Sequence, residues 1–94
     1  MLTITDAAFA RLHDLLGAQP TEIAARITRK GDRIRVRRGK QRPGDQVVDH
    51  DGRVVLLFGE SIAERLQNRV LDVRKTEAGP KLGLRQNRND GKSN

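Results

Sequence analysis

The chain has 94 residues, a formal net charge of +7, 35% hydrophobic residues, only two Phe as aromatic residues, and no cysteine. This composition supports one modest aliphatic core and excludes disulfides, thiolate ligands and a membrane-spanning run of about 18 apolar residues. The first residues lack the features of a secretory signal. We therefore expect one cytoplasmic domain over residues 1–86 and, because residues 87–94 contain no apolar side chain, a disordered C-terminal tail.

The first predicted element is a helix over residues 5–16, with Thr5 as its N-cap and Gly17 just beyond its end. Its apolar residues follow helical spacing. They are Ala8, Phe9, Leu12, Leu15 and Leu16.

A basic hairpin follows the helix. Strands at Ile23–Lys30 and at residues 33–38 are joined by Gly31-Asp32, a turn that places Lys30 opposite Arg33. Because side chains alternate across a sheet, one face is apolar and the other is cationic. The apolar face holds Ala25, Ile27, Ile34 and Val36. The other face holds Arg26, Thr28, Lys30, Arg33, Arg35 and Arg37.

Residues 26–42 carry nine Lys/Arg and one acidic residue, a net charge of +8. Like charges directly opposite each other destabilise a sheet, and a bound polyanion would offset that repulsion. The candidate anion-binding residues are Arg26, Lys30, Arg33, Arg35, Arg37 and Arg38. The alternative is a solvated face whose arginine stems cover apolar surface. The lack of Tyr and Trp argues against base stacking.

A second hairpin is predicted from residues 46–49 and Arg53–Phe58, joined by Asp51-Gly52, a strong type I′ signal. Residues 54–58 are all apolar, so we expect this strand to be covered on both sides. The run from Ser61 to Glu64 predicts a capping box and a helix of about two turns ending near Asn68.

The last two elements are strands. Val70, Leu71 and Val73 indicate one, and residues 81–85 indicate a weaker one.

The order and spacing of these elements resemble the HesB/IscA family, the A-type carriers of iron–sulfur assembly. The matching pieces are residues 2–8, Gly44-Asp45, Val47-Val48, Asp51-Gly52, residues 54–58, residues 61–66, Leu71-Asp72-Val73 and residues 79–87. The resemblance implies a mainly β fold with two short helices, a pseudobarrel or β-sandwich capped by those helices.

The family holds iron or a cluster through three cysteines. The resemblance places the first at residues 37–42, which are cationic here, and the other two at residues 88–91. Because iron–sulfur clusters are bound by thiolates, this chain should not carry one, and we expect no cofactor.

Other candidate sites have simpler explanations. Asp49, His50 and Asp51 are able to bind a divalent ion weakly, but we favour turn formation and solvation as the explanation of these residues. Ser61 is explained by capping. Asp72 is either a buried acid or an exposed one beside Arg74, and we favour exposure. These readings give no support for an enzyme.

The sequence therefore predicts a non-catalytic binding or adaptor protein with an unidentified protein partner, for which an acidic protein is one candidate, and no membrane association. The alternative function is binding of nucleic acid or another polyanion through the basic hairpin.

Overall fold

Two sheets and two helices make up residues 2–31 and 33–86, the part of the chain that a computed structural model describes. The elements are β1 Thr3–Ile4, α1 Asp6–Leu16, β2 Ile23–Lys30, β3 Arg33–Lys40, β4 Gln46–His50, β5 Arg53–Phe58, α2 Glu60–Leu66, β6 Arg69–Thr76 and β7 Gly79–Gln86. The strand order is β3-β2-β5-β4 in one sheet and β1-β6-β7 in the other. The predicted mainly β class with two short helices is confirmed; the predicted tail lies outside the described residues.

Helix α1 begins and ends as its sequence predicts. Thr5 is extended, and its side-chain oxygen accepts a hydrogen bond from the backbone N–H of Ala8 at 3.1 Å. Gly17 follows the last turn with a positive φ of 46° and donates its N–H to the carbonyl of His13. Such a φ favours glycine, because a Cβ atom makes the left-handed region costly.

The basic hairpin has the predicted register, with Lys30 opposite Arg33 and Arg26 opposite Arg37. Strand β3 is longer than expected because its pairing with β2 continues to Lys40. Strand β2 also pairs in parallel with β5, so β2 is interior and β3 is an edge of the sheet.

Strand β5 is the most buried strand of the molecule's described part. Val55, Leu56, Leu57 and Phe58 are each at most 6% exposed. Four successive buried residues require cover on both faces, as the sequence predicts. At the turn before β5, Asp51 and Gly52 both have positive φ, the requirement of a type I′ turn.

The predicted capping box at Ser61 is wrong. Helix α2 begins at Glu60, its N-cap is Gly59, and no side chain caps it. The Gly59 carbonyl accepts hydrogen bonds from the N–H groups of Ile62 and Ala63, both at 3.1 Å. The helix therefore starts directly after β5, which places Ser61 inside the first turn. It also ends earlier than expected, at Leu66.

The core lies between the sheets and is organised by α1. This helix contacts β2 and β5 of one sheet and β6 and β7 of the other. The buried cluster is aliphatic apart from Phe58. No helix in residues 2–31 and 33–86 is long and apolar enough to cross a membrane.

Candidate functional site

Four of the six predicted anion-binding residues share one exposed face of the basic hairpin. Lys30, Arg33, Arg35 and Arg37 alternate correctly along β2 and β3, and all four are exposed. Among the described residues, no carboxylate lies within salt-bridge distance of any of them. We call these four residues the cationic face.

Arg26 is placed by its register on the same side but is engaged in an ion pair. Its guanidinium donates two hydrogen bonds to Asp45, from Nη1 to Oδ2 at 2.5 Å and from Nη2 to Oδ1 at 2.9 Å. The two side chains are only 13% and 3% exposed. These hydrogen bonds raise the pKa of Arg26 and lower that of Asp45. Because Asp45 already neutralises Arg26, this arginine is not part of the cationic face.

Arg38 lies on the opposite side of the hairpin from Arg37. It pairs with Ala25, whose side chain is buried, and its guanidinium Nη1 lies 3.4 Å from the carbonyl oxygen of Leu15, near the end of α1. Its charge is therefore displaced from the other predicted anion-binding residues.

The tertiary structure adds cations that the sequence analysis missed. Adjoining depressions between β3 and β7, continuing to α1 and α2, form one groove, here called the β3–β7 groove. One of these depressions has a volume of about 530 Å³. The cations lining the groove are Arg11, Arg29, Arg33, Arg35, Arg37, Arg65, Arg69, Arg74 and Lys81. No Asp or Glu is among the described residues that line it. Because these cations come from six elements, no periodic sequence signal groups them.

The segment that the resemblance aligns with the first family cysteine is tightly held. Residues 37–40 belong to strand β3 rather than to a loop. The turn that follows is closed by Asp45, whose carboxylate accepts the Arg42 N–H at 2.7 Å as well as the Arg26 guanidinium. The side chains that interact here are a guanidinium and a carboxylate, and neither offers a sulfur ligand. Residues 88–91, aligned with the other two cysteines, lie outside the described residues.

Asp72 is 32% exposed and pairs with Arg85 rather than with Arg74, so the partner that the sequence interpretation favoured is wrong. Its Oδ1 accepts hydrogen bonds from the Val73 N–H and from the Thr5 hydroxyl, each at 2.8 Å, and its Oδ2 lies 3.3 Å from Arg85 Nη2. The Val73 N–H and the Thr5 hydroxyl together hold the pKa of Asp72 below its usual value. Asp72 thus joins the N-terminus of α1 to β6, a structural role.

The two histidines meet across the fold, which the sequence analysis did not predict. Nε2 of His13 lies 2.9 Å from Nδ1 of His50, and the ring of Phe9 stacks on His50 with centroids 3.9 Å apart. Asp51 lies beside them, with Oδ2 3.6 Å from His50 Nδ1. Asp49 is not a member of this cluster, because adjacent residues of a strand point to opposite faces.

Comparison with known proteins identifies solved structures that share this fold. No family model matches the sequence, and no curated protein matches it. Among solved structures, Escherichia coli SufA, described as involved in biosynthesis of iron–sulfur clusters, matches with a TM-score of 0.74 and 18% identity, over 90% of this chain and 84% of SufA. IscA with the [2Fe-2S] cluster matches with a TM-score of 0.64 and 18% identity, over 92% of this chain and 82% of IscA. The chain therefore has the fold of SufA and IscA, as its resemblance to the A-type carriers implied, in a version without cysteine.

Proposed function

We propose that this chain is a non-catalytic binding protein, an adaptor built on the SufA and IscA fold that does not carry a cluster. The observation that supports this proposal is the combination of that fold with a complete lack of thiols. The segment aligned with the first cysteine supports it further, because the Arg26–Asp45 pair occupies that region. A cluster needs thiolate ligands, and the cations here would repel iron.

Anaerobic reconstitution with iron and sulfide tests the proposal, with E. coli SufA treated in parallel as the positive control. We expect the desalted protein to remain colourless, with no iron or sulfide retained in stoichiometric amounts. A stable visible absorption band together with stoichiometric iron and sulfide would show that the chain carries a cluster after all.

A second candidate function is binding of a polyanion, such as nucleic acid, and one observation favours it. The cationic face and the β3–β7 groove share Arg33, Arg35 and Arg37, and no carboxylate is among the described residues that line the groove. Arginine makes bidentate contacts with phosphate, and neutralised phosphates release counterions. An acidic protein would use the same region. Because the chain has no Tyr or Trp, contacts to the backbone are expected rather than base stacking.

The competing physical explanation concerns the edge of the sheet. In the part of the chain that the structure describes, strand β3 has no partner on its outer side within its sheet. Charged side chains on an edge strand prevent pairing with other chains, so the same arginines are also explained as protection against aggregation. Under that explanation the arginines repel other molecules of this protein and need no ligand.

Titration with duplex DNA and with single-stranded RNA at two salt concentrations separates these explanations. If the region binds a polyanion, affinity for the duplex falls with salt, with a slope of about −0.9 per phosphate neutralised. Replacing Arg33, Arg35 and Arg37 together by Gln should weaken binding and reduce the slope. The matched control replaces Lys40, Arg42 and Lys75 by Gln. It removes the same charge from residues that belong neither to the cationic face nor to the lining of the β3–β7 groove. No binding by the parent at low salt, or equal loss in both variants, would contradict a site at this region.

A further inference from the structure

We propose that His13, His50 and Asp51 form a binding site for a divalent transition-metal ion of the zinc class. The three side chains come from α1, from the end of β4 and from the turn before β5. Their ligand atoms all lie within 4.8 Å of one another. None of these three residues belongs to the segments aligned with the family cysteines, and none of them lines the β3–β7 groove.

Two of the three distances between the ligand atoms are close to those of a metal site, and the third is at most 4.8 Å. Two nitrogens that each bind zinc at about 2.0–2.1 Å in tetrahedral geometry lie about 3.4 Å apart. His13 Nε2 and His50 Nδ1 are 2.9 Å apart, so the rings need to separate by only about 0.5 Å. Asp51 Oδ2, at 3.6 Å from His50 Nδ1, is already at a separation typical of two ligands of one ion.

Neighbouring groups hold these ligands in place. The ring of Phe9 is stacked on His50 with only 10° between the planes, and Phe9 precedes His13 by one helical turn on α1. Asp51 occupies a type I′ turn with φ of 55°. The turn fixes the position of its Cβ atom, to which the carboxylate is attached. Arg53, opposite His50 in the hairpin, donates its guanidinium Nη2 to the carbonyls of Gln19, Pro20 and Ile23, so this cation is engaged elsewhere.

The ligand set indicates the kind of ion. Imidazole nitrogens suit zinc, copper, nickel and iron, whereas calcium and magnesium require several oxygen ligands. Three protein ligands leave at least one coordination position, and the exposed fraction of the Asp51 side chain, 78%, leaves that position open to water. The site therefore suits Zn²⁺ and the other ions that imidazole binds well, and it discriminates against Mg²⁺.

The proton between the rings gives the site a spectroscopic signature. At 2.9 Å one ring donates to the other, so one of the two facing nitrogens carries a proton. A metal ion needs both of these nitrogens unprotonated. Binding must therefore move that ring to its other tautomer, with the proton on the nitrogen that faces away from the ion.

Titration of the untagged full chain with Zn²⁺, followed by calorimetry and by NMR of the imidazole nitrogens, tests the proposal. Because the chain has only two histidines, each ring signal is assigned with one variant. We expect one ion per chain, perturbation of both rings, a tautomer change in one, and no response to Mg²⁺. Zn²⁺ should also raise the melting temperature of the parent, because the ion binds the folded chain preferentially.

Variants identify the ligands. Loss of a residue that only hydrogen-bonds to a metal ligand lowers metal affinity by about 10–100-fold. His13 would be a ligand itself, so His13→Gln should lower the affinity at least as much. Asp51→Asn keeps a residue that tolerates positive φ and should weaken binding while the hairpin stays intact. Asp49→Asn, which removes the same charge two residues away on the other face of β4, is the control and should bind like the parent.

Two results would overturn the site: Zn²⁺ that binds the parent without perturbing both rings, or equal weakening by Asp51→Asn and Asp49→Asn. The second would indicate general attraction by acidic residues. Asp51 lies in an exposed turn, so that comparison remains valid even if His13→Gln does not fold.

Discussion

Strands β5 and β3 both pair with β2, yet they differ in almost every property. From residues 54 to 58, β5 has no charged side chain, and four of its residues are buried. Strand β3 carries five Lys/Arg in eight residues and contains no buried residue. The interior strand thus supports the fold through burial, and the edge strand contributes little burial, which leaves its side chains available for binding. On β2, the strand between β5 and β3, Arg26 forms an ion pair with Asp45 of the turn that leads from β3 to β4.

The largest effect is expected in β5. Leu56 is fully buried, so Leu56→Ala leaves a cavity and should lower the free energy of unfolding by about 2–4 kcal/mol. That is a large share of the stability of a small domain. Chemical denaturation measures it, with Val47→Ala as the control, because Val47 is 42% exposed on β4. Equal midpoints for Leu56→Ala and the parent would show that β5 does not support the fold as described.

An intermediate effect on stability is expected at the ion pair of Arg26 and Asp45. The Arg26 guanidinium and the Arg42 N–H hold the pKa of Asp45 below its usual value of 3.8. A carboxylate whose pKa is lower in the folded state stabilises the fold fully above its unfolded pKa and loses that contribution as pH falls through the folded one. We therefore expect the melting temperature to fall on acidification below about pH 4. Asp72, whose pKa is also lowered, contributes to this fall in the same direction.

Asp45→Asn isolates the part of this acid response that comes from the ion pair of Arg26 and Asp45. The variant should melt below the parent at neutral pH, because the partly buried Arg26 loses its charged partner, and should show a smaller further loss between about pH 4 and pH 2. Asp49→Asn, on an exposed residue with no resolved partner among the described side chains, is the matched control. Parallel pH profiles for Asp45→Asn and the parent would contradict the role of this pair.

The smallest effect on folding is expected in β3. Replacing Arg33, Arg35 and Arg37 together by Gln removes like charges that face other cations, including the pair of Lys30 and Arg33. The melting temperature should stay the same or rise slightly, in contrast to Leu56→Ala. A clear decrease, measured by thermal unfolding at low and high salt, would show that arginine stems packed on the groove stabilise the fold. Aggregation of this variant alone would instead support the edge-protection explanation.

Local signals allowed most of the fold to be predicted from the sequence. The Asp51-Gly52 turn, the Thr5 cap and the alternation along β2 and β3 act between residues close together in the chain, so they are readable without the tertiary structure. The same locality explains the error at Ser61. A capping box was present in the sequence, but Gly59 at the end of β5 provided an earlier N-cap, and the connection between β5 and α2 determined where the helix begins.

The sequence alone determined the absence of thiols, the concentration of charge in residues 26–42, and the register that exposes Lys30, Arg33, Arg35 and Arg37. Only the tertiary structure decided which charges are already neutralised, as Arg26 is by Asp45, and which distant cations line the β3–β7 groove. It also brought His13 to His50, 37 residues further along the chain. The physical reason is that strand alternation and turn geometry are set by neighbouring residues, whereas ion pairs and shared sites depend on packing between elements far apart in the chain.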